Sequence, residues 1–281
     1  MDALLTNASQ IYAIGYLGVL IVVAVLEGLV PRRAPGNRLV VRWTSNFGIT
    51  VLNTFVARAL FPLAGIAWAI FCRDHGWGLF NATSWPAPLA VLLTIGALDF
   101  LFYAQHYLLH RVPLLWRFHR VHHTDHEFDF STGVRFHPLE ATFTTTLHLG
   151  VILALGAPPV AVLFSQVLSA AADFIEHANV RLPGALDRVV RLVVVTPDMH
   201  RIHHSQAPGE SRSNLSNTFS WWDRVFGTYV DQPAAGHDGL AFGLPEFLDA
   251  KHATLPWMLA QPFLSEGDAP GTSPEPSSQP T

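Results

Sequence analysis

Histidine is the residue type whose spacing in this chain could do chemistry. Fifteen histidines occur in 281 residues, and eight of them fall in three short stretches. The stretches are His106-Tyr107-Leu108-Leu109-His110, His119-Arg120-Val121-His122-His123 and His200-Arg201-Ile202-His203-His204. On a helix, positions i, i+3 and i+4 lie side by side, about 5–6 Å apart at Cβ. Each stretch therefore presents two or three imidazoles as one patch. Imidazole nitrogen binds iron and zinc well. One stretch fills only part of a coordination shell, whereas three together offer eight donors, enough for two metal ions with open positions.

Other site chemistries fit less well. A zinc hydrolase would want a catalytic carboxylate in a pattern such as HExxH, which is absent, and too many histidines remain for one metal. Cys72 is the single cysteine, so a disulfide framework and a cysteine-type zinc site are excluded within one chain. His75, His237 and His252 are isolated and should be solvated, and His148 should hydrogen-bond to a helix neighbour. Nothing in the sequence decides His126, three residues past the second stretch.

The elements that must position these residues are apolar helices. Half of the residues are hydrophobic and 14% are charged, against roughly 25% in ordinary soluble domains. Much of the surface should therefore face lipid. The net charge of −4 and the lack of a basic run give no sign of nucleic acid. Apolar runs extend over 11–30, 47–72 (interrupted by Arg58), 87–109, 141–157 and 160–175. The last two are short, so a hairpin entering the membrane fits as well as two full spans. Fifteen of the seventeen basic residues lie in 31–46, in 110–140 or after 176. The positive-inside rule makes that face, which carries every histidine stretch, cytoplasmic. Sixteen of the seventeen are arginine, a compositional hint of a GC-rich bacterial source and hence of a bacterial inner membrane. The expected fold is all-α: a polytopic bundle of about four transmembrane helices with a cytoplasmic helical cap carrying the histidines. Residues 1–86 should supply N-terminal membrane helices, 87–232 the catalytic domain and 233–264 a C-terminal cytoplasmic segment. The tail 265–281, rich in Pro, Ser, Gly and acid, should be disordered.

From about Leu93 to Val230 the chain resembles the fatty acid hydroxylase and sterol desaturase superfamily of membrane di-iron enzymes. Asp99, Tyr103, HYLLHR (106–111), LWRFHRVHH (115–123), FHPLE (136–140), EHANV (176–180), TPDMHRIHHS (196–205) and WDRVFGTY (222–229) carry the likeness, in that order. The resemblance implies that O2 and external electrons are used to hydroxylate or desaturate a lipid. The implied metal ligands are His106, His110, His119, His122, His123, His200, His203 and His204, with His177 at a further ligand position. His137 could be a ligand or a hydrogen-bonding neighbour of one. Asn214-Leu215-Ser216 departs from the family, which often has a glycine and an aromatic before the WDR stretch, so the loop over the site is open to question.

Redox work of this kind calls for two iron ions, since zinc has no redox states. No flavin, haem or ferredoxin motif is present, so a separate ferredoxin-, cytochrome- or flavoprotein-type donor must supply electrons. Charges near membrane depth are costly, and metal-bound histidines normally donate their second N–H to a carboxylate or carbonyl. Glu176 and Asp198 are therefore expected to orient ligand imidazoles, and Asp99 to brace the first stretch. Plain ion pairs with nearby arginines are the competing reading. Trp221, Trp222 and Phe226 should pack the cap or sit at the membrane interface. A non-catalytic lipid- or metal-binding protein is the rival to the enzyme.

Overall fold

A backbone in lipid must satisfy its own N–H and C=O groups, which favours helices. The computed structural model describes residues 2–36 and 38–264. Among them there is no β-strand, only isolated bridges between Pro31 and Val180 and between Val194 and Phe219. The main helices are α1 (Ala8–Leu29), α2 (Leu39–Leu60), α3 (Ile66–Asp74), α4 (Ala87–Arg111), α5 (Pro113–His123), α6 (Pro138–Leu155) and α7 (Pro159–Glu176). Among the short ones that follow are α8 (Pro197–His203) and α9 (Trp221–Val225).

Helices α1, α4, α6 and α7 are long and apolar enough to cross a membrane. Even the shortest, at 18 residues, reaches about 27 Å at 1.5 Å per residue, close to a bilayer's hydrocarbon core. Ile14, Ile21, Leu29 and Leu92 are each at least 60% exposed. So many exposed large apolar side chains suit lipid, not water. The chain is an all-α, polytopic membrane bundle.

The run 47–72, expected as one span, is two helices. Helix α2 begins earlier, at Leu39, and stops at Leu60 because Pro62 has no N–H to continue the ladder. Helix α3 starts after Gly65, whose φ of +56° suits glycine. The runs 141–157 and 160–175 are two 18-residue helices, each long and apolar enough to cross a membrane. At their joint Gly156 adopts φ +62°, and a Cβ there would stand 2.6 Å from the Trp77 carbonyl oxygen. Helix α6 packs on α2 and α4, while α7 packs on α1, α3 and α4. Of the spans α7 is the most enclosed, 39% buried against 6% for α1, so it forms the axis of the bundle.

A cap closes one end, and buried arginines assemble it. Arg42 donates from Nε and Nη2 to Asp125 (2.6 and 2.8 Å) and from Nη1 to Asp129 (2.7 Å). Arg135, fully enclosed, donates to the carbonyls of Val121 and His252, to Asn46 Oδ1 and to Thr124 Oγ1. Arg32 pairs with Asp198 at 3.0 Å. These contacts gather the segments 31–46, 110–140 and the region after 176 at one end, the grouping that the arginine distribution anticipates. The tail 265–281 lies outside the described residues.

Candidate metal centre

Four elements deliver the histidines. The last turns of α4 bring His106 and His110, and Pro113 starts α5 directly after Val112, turning the second stretch back beside the first. Helix α8 carries the third stretch, and His177 caps the C-terminal end of α7. All nine expected ligand histidines meet there, in two groups. His106, His110, His119, His123 and His203 form one, and His122, His177, His200 and His204 form the other. Within each group one ring nitrogen per residue lies within 4.8 Å of every other. The groups abut: His123 stacks on His204 at 4.4 Å between ring centroids, and His119 lies 5.3 Å from His122. The second and third sequence stretches are each divided between the two groups, so a stretch is not a site.

Hydrogen bonds fix which nitrogens point inward. His106 Nδ1 donates to the Leu215 carbonyl (2.8 Å), His203 Nδ1 to that of Ser213 (3.0 Å) and His177 Nδ1 to that of Asp173 (2.7 Å). A carbonyl oxygen only accepts, so Nδ1 carries the proton and Nε2 is a bare lone pair. His119 Nδ1 meets Glu140 Oε1 at 2.6 Å, with the same effect. In the five-membered group every Nε2 is buried without a hydrogen-bond partner. In the four-membered group the Nε2 atoms of His122, His200 and His204 stand 3.0–3.2 Å from that of His177. Donors bound to one metal at about 2.0–2.1 Å come about this close to each other. Stranded, converging lone pairs are costly by themselves and fit two imidazole-bound metal ions.

Burial, followed by the neighbouring rings, holds His122, His123, His200, His203 and His204 well below the usual imidazole range. Burial pushes His177 down to about 3. The rings are thus neutral, the state a metal ligand requires.

The carboxylates are arranged differently from the sequence-based expectation. Glu176 does lie against the rings, 3.7 Å from the Nδ1 atoms of both His177 and His200. Asp198 does not orient an imidazole, because Arg32 holds it in an ion pair. Asp99 does not brace a histidine either. Its carboxylate accepts from Trp222 Nε1 (2.8 Å) and the backbone N–H groups of Thr218 and Phe219, tying α4 to the loop before α9. The carboxylate on a ring is Glu140, at the start of α6. As a lone acid opening an apolar run, it met the criterion that singled out the other three.

The Asn214–Ser216 departure also has a purpose. Asn214 takes φ +51° and bridges the carbonyls of Met199 and Val230. Asp223 accepts from the backbone N–H groups of Leu215 and Ser216. The loop so fixed presents the Ser213 and Leu215 carbonyls to His203 and His106.

The remaining histidines lie outside both groups. His137 Nδ1 caps α6 by accepting from Leu139 N–H, and His126 Nε2 reaches the Phe247 carbonyl. His148 bonds to the Thr144 carbonyl one turn back, and His75 is exposed and stacked on Phe71. His237 is half-buried. His252, expected in solvent, is 2% exposed and packs against Phe247 and Trp257. Trp222 and Phe226 pack against Phe100 of α4.

A cavity of about 400 Å³ reaches both groups, touching His106, His119, His122, His177 and His200. It shares Tyr12, Tyr16, Phe102, Thr144, Thr145 and Asp173 with a second cavity of about 440 Å³, which runs on between Leu98, Leu149, Ile152 and Val162. Together they lead from the histidines into the membrane-spanning region.

Residues 91–228, which hold every clustered histidine, match the fatty acid hydroxylase family model. Through this segment the chain resembles the fatty acid hydroxylase family. The ornithine lipid hydroxylase OlsE of Rhizobium tropici is 28% identical across 78% of this chain and 66% of its own length. The alkylglycerol monooxygenase of Caenorhabditis elegans is 28% identical across 67% of this chain and 37% of its own. A cholesterol 25-hydroxylase-like protein of Danio rerio is 28% identical across 67% and 74%. The chain thus spans less than two thirds of the length of the first two. No solved structure matches it significantly.

Proposed function

We propose that this chain is a membrane di-iron oxygenase that hydroxylates a lipid C–H bond, using O2 and electrons from a separate protein. The observation that carries the proposal is the pair of abutting groups of buried imidazoles whose ring nitrogens converge. His106, His110, His119, His123 and His203 would hold one iron, and His122, His177, His200 and His204 the other. The iron pair supplies the electron transfer that imidazole cannot. The protein keeps His119, His177, His203 and His106 in their ligand tautomer, through Glu140 and the carbonyls of Asp173, Ser213 and Leu215. Enclosure by α4, α5, α7 and α8 excludes bulk water. The joined cavities bind an apolar chain that arrives from the bilayer and hold one carbon against the cluster. Hydroxylation, rather than desaturation, follows the names of the relatives.

The arginine-rich end faces the cytoplasm, in a bacterial inner membrane, where a ferredoxin-, cytochrome- or flavoprotein-type donor can reach it. The test is to load the purified protein with iron, supply a reductase system and membrane lipid extract, and measure O2 uptake and hydroxylated lipid by mass spectrometry. Both should appear with iron and vanish with zinc. Iron-loaded protein that neither consumes O2 nor alters any lipid would overturn the proposal.

A further inference from the structure

Arg201 follows His200 in the third stretch, yet its side chain has no part in the two histidine groups. It is fully enclosed, and Nε, Nη1 and Nη2 all lack a hydrogen-bond partner. A guanidinium carries five N–H donors and stays charged at neutral pH, and burying such a charge unpaired is among the most costly arrangements in a fold. The same cap shows the alternative, because Arg42 and Arg135 are as deeply buried with their donors matched to carboxylates, carbonyls and hydroxyls. What surrounds Arg201 is aromatic: its guanidinium lies 5.2 Å from the Phe128 ring and 5.4 Å from that of Phe242. Ring faces attract a cation but satisfy no directed N–H.

A second guanidinium shares this site. Arg33 lies 4.9 Å from the same Phe242 ring, and its Nη2 donates to the carbonyls of His237 and Asp238. Both arginines line a cavity of about 360 Å³ beneath the linker from α1 to α2, walled by Trp43, Phe128 and Phe242. Three carboxylates border it, and each is already engaged. Glu27 accepts the backbone N–H groups of Phe130 and Asn179, and Glu127 and Asp129 are held by Arg42. The donors left unmatched are those of Arg201. Of the clustered histidines none lines this cavity; Phe128 stands between, 5.5 Å from His177.

We propose that this crevice is an anion-binding site in which Arg201 and Arg33 hold a phosphate or carboxylate group. Two planar forks suit such oxygens, since each offers paired N–H donors. The linker places the crevice at the end of α1, at headgroup depth for a spanning helix, so a lipid phosphate and a free phosphate share the required chemistry. The inference stands apart from the identity of the metal.

The test uses the metal-loaded full chain in a neutral detergent. Inorganic phosphate is titrated against chloride at matched ionic strength while thermal unfolding is followed, and co-purifying lipid is measured by mass spectrometry. Wild type should gain a saturable rise in melting temperature, by mass action. Arg33→Gln, on the half-buried rim, should need roughly tenfold more phosphate, the loss of one charge-assisted contact. Arg201→Gln should lose the response. If the occupant is a lipid headgroup, wild type should instead retain an anionic phospholipid that both variants lose, and should respond to phosphate only after delipidation. A phosphate response identical in all three proteins, with identical bound lipid, would overturn the proposal.

Discussion

His119 Nδ1 and Glu140 Oε1 stand 2.6 Å apart, with both side chains at least 96% enclosed. The contact joins α5 to the first turn of α6 and leaves His119 Nε2 free to face its group. Glu140→Ala should lower metal affinity or turnover by about 10–100-fold, the usual loss when a ligand's supporting partner is removed. Glu140→Gln, which still accepts, should recover part of that. Metal content per chain and product per bound metal separate the two effects, and a Glu140→Ala protein with wild-type values for both would refute the role.

Removing one donor from each group tests the groups directly. Protein purified with iron under reducing conditions should hold about two metals per chain, matching the two clusters. His203→Ala and His122→Ala should each abolish turnover while membrane insertion, driven by the apolar spans, persists. His75→Ala should stay near wild type. His252→Ala should keep its metal but unfold earlier, by about 1–3 kcal/mol, because a packed ring is lost from the cap. Metal analysis and thermal unfolding on the same preparations would check both.

Asp99 offers a contrast with Glu140. Its partners are Trp222 and the backbone at 218–219, so Asp99→Asn should act on that loop and not on a ligand. The expected result is a stability loss of about 1–3 kcal/mol with metal stoichiometry unchanged. Loss of metal at unchanged melting temperature would return Asp99 to the histidines.

Orientation is open to a fusion experiment. A reporter joined after Leu264 should be active only as a cytoplasmic fusion, and one inserted between α3 and α4 only as a periplasmic one. The reverse pattern would invert the assignment drawn from the arginines.

Spacing made the histidines legible: HxxHH on a helix can only be a patch, and fifteen basic residues on one side left little freedom for where the patches lie. What spacing could not convey was which patch serves which group. That depends on how α5 and α8 are set against each other, which no local pattern records. The acids were harder still. Asp99, Glu176 and Asp198 stand near the histidines in sequence or depth, but only Glu176 approaches a ring. Glu140 reaches His119 across 21 residues and a change of direction. The two backbone carbonyls that orient His106 and His203 carry no side-chain signature at all. Pro62 was a readable break in the second apolar run, since a proline interior to a helix removes a hydrogen bond.

His122 and His123 are neighbours in the chain and serve different groups, with their rings 89° apart. The same division runs through His203 and His204, whose rings stand at 87°. The two positions are therefore geared together. Inserting one residue ahead of either pair would rotate it by about 100° on its helix and disturb both groups at once. Helices α5 and α8 are each a shared component of both groups, so such an insertion cannot damage one position and spare the other.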